Sequence, residues 1–190
     1  MIKSFDEYKY YLEQDRLASG IPDGVKKPRF GRDEIWRWER LMRKLEYITN
    51  CKRGGIWNIY KLFLKFRYKQ TSQKLGFTIP INTFEEGLWI PHYGTIVVNG
   101  RAKIGKNCRI MENTNIGDNG GGGVPCIGNN CFICTGAKIL GAVKIGDNVI
   151  VGANSVVVKS FVQDDVTLGG VPAKIISQKN SKRFLDKRVV

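Results

Sequence analysis

His92 is the only histidine in the chain, and it stands in LWIPHYGTIVVNG, between an aromatic-rich segment and a β-branched run. An imidazole changes charge near neutral pH, so a lone histidine in such a setting raises general acid–base chemistry first. Asn82, Glu85, Glu86 and Asn99 are the nearby polar residues that could orient the imidazole or touch an acceptor. Cys131 and Cys134 have CxxC spacing, but with no second pair or histidine beside them a zinc site is not expected, and no metal is predicted. Gly120 to Gly123 could in principle cradle a phosphate, yet they lack the lysine and the strand–helix frame of a phosphate loop.

The elements that must position these residues fall into two halves. Up to about residue 76 the aromatic and charged residues recur at helical spacing. DEIWRWERLMRKLEYI places Ile35, Trp38, Leu41, Met42 and Leu45 on one face. SFDEYKYYLEQDRLA has Ser4 as an N-cap with Glu7 three residues on, the capping-box pattern. IPDGVKKPRFG between them reads as a loop, and IWNIYKLFLKFRYKQTSQKL as a third helix.

The second half repeats every six residues. Ile104, Ile110 and Ile116, then Ile127, Ile133, Ile139, Ile145, Val151 and Val157 mark the frame. Small or β-branched residues follow four places later at Cys108, Thr114, Cys131, Ala137, Val143, Val149 and Ser155. Neither a helix nor an alternating strand has this period; it is the hexapeptide signature of a parallel β-helix. The branched residue fills the core of each coil and the small one packs beside it, so Cys108 and Cys131 are expected to be packing residues. The frame breaks between Ile116 and Ile127, where DNGGGGV holds five extra residues, expected as a mobile loop thrown outward from a corner. A second slip separates the frame of Ile90 and Ile96 from the one starting at Val98.

PHYGTIVVNGRAKIGKNCRI, IGNNCFICTGAKILGAVKIGDNVIVGANSVVVKS and the closing GGVPAKII resemble the hexapeptide-repeat acyltransferases with a left-handed β-helix. Within them the chain resembles the serine acetyltransferase branch and, more closely, its relatives encoded with surface-polysaccharide genes. The resemblance implies a mainly β fold: a left-handed parallel β-helix over 77–176, preceded by an α-helical region over 1–76 and followed by a basic tail over 177–190. It further implies a homotrimer with sites between subunits, acetyl-CoA as co-substrate, and His92 as the general base on an acceptor hydroxyl. Gly136, Ala137, Gly152 and Ala153 would line the cofactor channel, and Lys174 would lie near the nucleotide end of CoA.

Two departures bear on the acceptor. The family's orienting aspartate, fifteen residues before the catalytic histidine, falls at Phe77, and a second histidine that helps hold serine falls at Val124. Free serine needs paired polar partners for both of its charges. The expected acceptor is therefore a saccharide hydroxyl of a surface polysaccharide or its precursor. Serine O-acetyl transfer for cysteine synthesis and a non-catalytic scaffold with a basic membrane-binding face are the alternatives.

Charge completes the picture. The chain carries +14, with 42% hydrophobic residues and hence a globular composition. Residues 1–76 hold 18 Lys and Arg against 9 Asp and Glu, a net of +9. No acid lies between Glu46 and Glu85, where bases interleave with aromatics. An anionic partner is expected. Contact with an anionic membrane fits that pattern, whereas no nucleic-acid motif accompanies the charge. MIKSFDEYKY has no apolar core of a signal peptide and no run is long enough to span a bilayer, so the expected location is the cytoplasm, including its membrane face.

Overall fold

The computed structural model describes residues 1–25 and 27–185. Three helices precede the coils: α1 (Phe5–Ala18), α2 (Glu34–Cys51) and α3 (Gly55–Leu75). Ser4 caps α1, its Oγ accepting the Glu7 N–H at 3.0 Å. The Glu7 carboxylate reaches back to the N–H of Lys3 rather than to that of the cap, so the expected reciprocal box is shifted by one residue. α3 ends on Gly76, whose φ of 83° closes the helix in the left-handed region.

Behind the helices the chain winds into a parallel β-helix with three faces. One face stacks β1 (Phe77–Thr78), β2 (Ile96–Val98), β5 (Thr114–Gly117), β8 (Lys138–Leu140) and β11 (Val156–Val157). The second stacks β3 (Lys103–Ile104), β6 (Cys126–Ile127) and β9 (Lys144–Ile145). The third stacks β4 (Arg109–Ile110), β7 (Phe132–Ile133), β10 (Ile150–Val151) and β12 (Thr167–Gly169), and ends on β13 (Lys174–Ser177), the one antiparallel partner. A short helix, α4 (Lys182–Leu185), follows. Residues 186–190 of the expected tail lie outside the described residues.

The six-residue frame is the core. Every isoleucine and valine of that frame is buried, as are the small residues four places on. A regular coil is eighteen residues: Phe132 pairs with Ile150. Arg109 pairs with Phe132, a step of 23, and the difference of five is the insertion after Ile116. That loop is organised rather than loose, because the Asp118 carboxylate accepts the N–H groups of Gly120 and Gly122 and also pairs with Arg101. Asn107, Asn130 and Asn148 hold three successive corners at positive φ, and their side-chain amides form a ladder at 3.0 Å per step. Asparagine tolerates that conformation, so it turns each corner at little strain.

A buried ion network welds the helices to the first coil. Arg43 is fully buried on α2 and pairs with Asp15 of α1 at 2.8 Å and with Glu46 at 3.0 Å. It also donates to the carbonyls of Phe84 and Glu85. Asp15 in turn accepts the N–H groups of Gly87 and Leu88, and Glu46 accepts that of Asn82. Each buried charge thus has a partner, the condition for tolerating it in a core. The network fixes residues 82–88, the strap that leads to His92.

Candidate active site

His92 stands exposed on a short loop tied at both ends. Upstream, the Trp89 N–H donates to Cys108 O and the Trp89 carbonyl accepts from Ile110. Downstream, Gly94 N–H donates to Leu75 O at the end of α3, and Ile96 N–H to Gly76 O. Two close approaches require glycine here. A Cβ on Gly76 would meet Gly94 O at 2.9 Å, and one on Gly94, whose φ is 137°, would meet the Glu112 Cβ at 2.9 Å. The loop is therefore clamped between the helix end and the next coil.

Glu112 is the residue this stacking brings under the loop. Its Oε1 accepts the Thr135 hydroxyl at 2.7 Å, and its backbone carbonyl accepts Gly136 N–H at 3.0 Å. Its Oε2 is buried without a hydrogen-bond partner among the described residues. The Thr135 hydroxyl and then Glu112's own backbone N–H hold this carboxyl below the usual carboxylate range. A carboxylate kept ionised one coil below the loop of an imidazole, with one oxygen uncommitted, has the chemistry to orient that imidazole and to steady its charged form.

The column continues along the same corner. Gly136 turns at φ 73°, and the Asn154 N–H donates to Thr135 O. Gly136 and Ala153 thus lie one and two coils beyond Glu112. Ala137 is wholly buried, so a channel-lining role can fall only to its backbone. Gly152 packs on Leu168 O, where a Cβ would come within 2.9 Å. Lys174 is exposed on β13 opposite Gly169.

Asn82, Glu85, Glu86 and Asn99 are engaged elsewhere. Asn82 pairs its amide with Asn50. Glu85 binds the N-terminal ammonium and the Tyr11 hydroxyl. Glu86 is buried against Lys106 at 3.0 Å. Asn99 closes a turn through the N–H of Arg101. Sequence reasoning missed Glu112, although one eighteen-residue coil added to Gly94 lands on it. Burial pushes the Cys131 thiol up to about 12 and that of Cys134 up to about 11, so both are unreactive packing groups. Among the described residues no cluster of three potential metal ligands occurs.

A cavity of about 350 Å³ opens beside the loop, walled by Pro91 and Tyr93 on one side and Arg32, Trp36 and Glu39 on the other. Glu39 is buried, and burial together with nearby Asp15 pushes its carboxyl well above the usual range. Glu39 Oε1 and Trp36 Nε1 lack hydrogen-bond partners among the described residues.

Residues 127–159 match the family model for the bacterial transferase hexapeptide (six repeats). The serine acetyltransferase of Buchnera aphidicola is 32% identical over 140 residues, 70% of this chain and 50% of that protein. The serine acetyltransferase of Staphylococcus aureus is 40% identical over 94 residues, 48% of this chain and 44% of that protein. The crystal structure of the serine acetyltransferase from Brucella abortus superposes with a TM-score of 0.70 at 25% identity, covering 93% of this chain and 71% of that one. The chain is similar to the serine acetyltransferases of the hexapeptide-repeat class. It shares their left-handed β-helix and helical N-terminal region, and it spans about half the length of the curated relatives it matches.

These relatives overturn the saccharide acceptor expected from Phe77 and Val124. The proteins similar to this chain act, by their names, on serine. An apolar residue at each of those two positions does not exclude serine, since polar partners can come from other coils and from the helices. Phe77 is core, packed edge-on against Trp38 at 5.0 Å, while Glu112 lies on the adjacent coil beneath the loop of His92.

Proposed function

We propose that the protein is an acetyl-CoA-dependent serine O-acetyltransferase, with His92 as general base and Glu112 as the carboxylate that positions it. The observation that carries the reading is an exposed His92 on a clamped loop, stacked directly on the coil that carries Glu112, in a chain similar to serine acetyltransferases.

In this reading His92 accepts the proton of the serine hydroxyl as its oxygen adds to the thioester carbonyl. The resulting imidazolium is steadied by Glu112 and returns the proton to the sulfur as the C–S bond breaks. Acetyl-CoA supplies the activated acetyl group. Exposed Ala153, on the corner column beyond Glu112, leaves room for a narrow pantetheine arm, Gly136 being covered by the Asn154 side chain, and exposed Lys174 suits the phosphates. The cavity beside His92 supports a free amino acid as acceptor. It has carboxyls in Glu39 and Asp33 and a guanidinium in Arg32, the two signs that an ammonium and a carboxylate need. An arriving ammonium would supply the charge that lets Glu39 ionise. Because the corner column lies on the outer edge of the coils, we place the complete site between subunits of a trimer, and the working location in the cytoplasm. No helix among the described residues is long and apolar enough to cross a membrane.

Release of CoA thiol on mixing the protein with acetyl-CoA and L-serine tests the reading. Serine-dependent release that falls about 10²–10⁴-fold in His92→Ala is expected. Failure of serine to accept acetyl, or a His92→Ala variant with full turnover, would overturn it.

A further inference from the structure

α3 is apolar on two opposite faces. Leu64, Tyr68, Ser72 and Leu75 turn toward α2 and the first coil. On the other side Ile56, Ile59, Leu62, Phe63 and Phe66 form a stripe at helical spacing, about 15 Å long at the rise of an α-helix. Their exposures are 77%, 73%, 69%, 51% and 60%. Isolated exposed apolar residues are ordinary, but a continuous stripe of five on one helix is an interaction surface.

The charges beside the stripe say what covers it. By helical position Lys65 and Lys69 border one edge, and Arg67 and Lys74 the other, with Lys52 and Arg53 just before the helix. No carboxylate occurs from Tyr47 to Phe84. A groove of about 670 Å³ between α2 and α3 continues the surface, its floor Leu64 and Leu75 and its charged lining four bases, Arg37, Lys44, Arg67 and Lys74, against one acid, Glu34. A second copy meeting this face through the same helix would oppose lysines to lysines with no acid on that helix to answer them. An apolar stripe framed by bases on both sides is the pattern of a helix lying in the headgroup layer of an anionic bilayer.

We propose that α3 is a peripheral membrane-docking helix, its outer stripe entering the acyl boundary and its flanking bases binding anionic headgroups. Tyr93, the neighbour of His92, lines the same groove, so docking sets the catalytic loop on the membrane-facing side of the protein. The proposal rests on α3 and not on the choice of acceptor.

Flotation of the full chain with vesicles of phosphatidylcholine alone, and of phosphatidylcholine and phosphatidylglycerol in equal parts, tests it. Binding to the anionic vesicles only, reversed by salt, is expected. Ile59→Ser with Phe66→Ser, and separately Lys65→Gln with Lys69→Gln, should each weaken partitioning about tenfold or more while serine-dependent thiol release in solution persists. All four residues are exposed, so the variants should fold, which circular dichroism checks. No flotation with anionic vesicles at low salt, or equal binding to both compositions, would overturn the proposal. So would a wild-type chain that does not float but forms an oligomer lost in the Ile59→Ser, Phe66→Ser variant, which would make a second copy the occupant.

Discussion

Replacing Glu112 by Gln is the sharpest test of how the site works. The amide is nearly isosteric, and its oxygen can still accept the Thr135 hydroxyl that now bonds Oε1 at 2.7 Å. What disappears is the negative charge, and with it the acceptor capacity of the buried, uncommitted Oε2. A carboxylate acts on a neighbouring charge over ~4–6 Å. With an effective dielectric of ~20, the attraction at that range is about 3–4 kcal/mol. His92 is open to solvent, and screening at an exposed pair brings this down to about 0.2–1 kcal/mol. The imidazolium exists only as the reaction proceeds, so the loss falls on the transition state. Turnover should drop about 1.4–5-fold, at 1.36 kcal/mol per factor of ten. KM for acetyl-CoA should stay within about twofold, because the amide oxygen of the Glu112→Gln side chain keeps the Thr135 hydrogen bond and the backbone bond to Gly136 is untouched. Steady-state thiol release over a range of both substrates measures each quantity. Thr135→Val should give a smaller effect in the same direction, since it frees the carboxylate without removing it. Unchanged turnover in Glu112→Gln would show that the imidazole works without this carboxylate and would refute the proposed couple.

Three further outcomes follow from the same geometry. Arg43→Ala leaves Asp15 and Glu46 buried without their partner, and should cost about 3–5 kcal/mol in urea unfolding; a loss under about 1 kcal/mol would mean that the weld is not cooperative. Glu39→Gln should raise the melting temperature at pH 8 and leave it unchanged at pH 4. The folded carboxyl titrates well above its unfolded value near 4.3, so the native state binds the extra proton between those two values and loses stability as pH rises through that window. The same variant should raise KM for serine if the cavity holds the ammonium, and a melting point that falls at pH 8 would contradict a protonated Glu39. Gly94→Ala should impair turnover more than stability, because its Cβ would press the Glu112 Cβ at 2.9 Å from a strained φ; activity equal to wild type would show that the loop has room to shift.

The coils were legible because their signal is local and redundant. A β-branched residue every six positions has one packing solution, and each hexad repeats the message from Ile104 to Val157. The insertion was legible for the same reason, since a break in a strict period can be counted. Its conformation was not: nothing in DNGGGGV announces that Asp118 turns back to hold the N–H groups of Gly120 and Gly122. Glu85 and Glu86 looked like candidates for His92 because they are acids near it in sequence. Their partners are the N-terminal ammonium, the Tyr11 hydroxyl and Lys106, two of them contributed by a helical half whose docking no periodicity reveals. The carboxylate stacked beneath the histidine's loop is twenty residues downstream, and it becomes visible only when the chain is read as coils rather than as a line. In a solenoid, the neighbours of a site residue are found by adding the coil length. That rule connects Gly76, Gly94 and Glu112 at steps of eighteen, and with the five-residue insertion counted it leads on to Thr135 and Gly136. A polar residue introduced on this column therefore acts on the site more directly than one placed beside His92 in sequence, because the β-helix converts a separation of one coil into a single layer of packing.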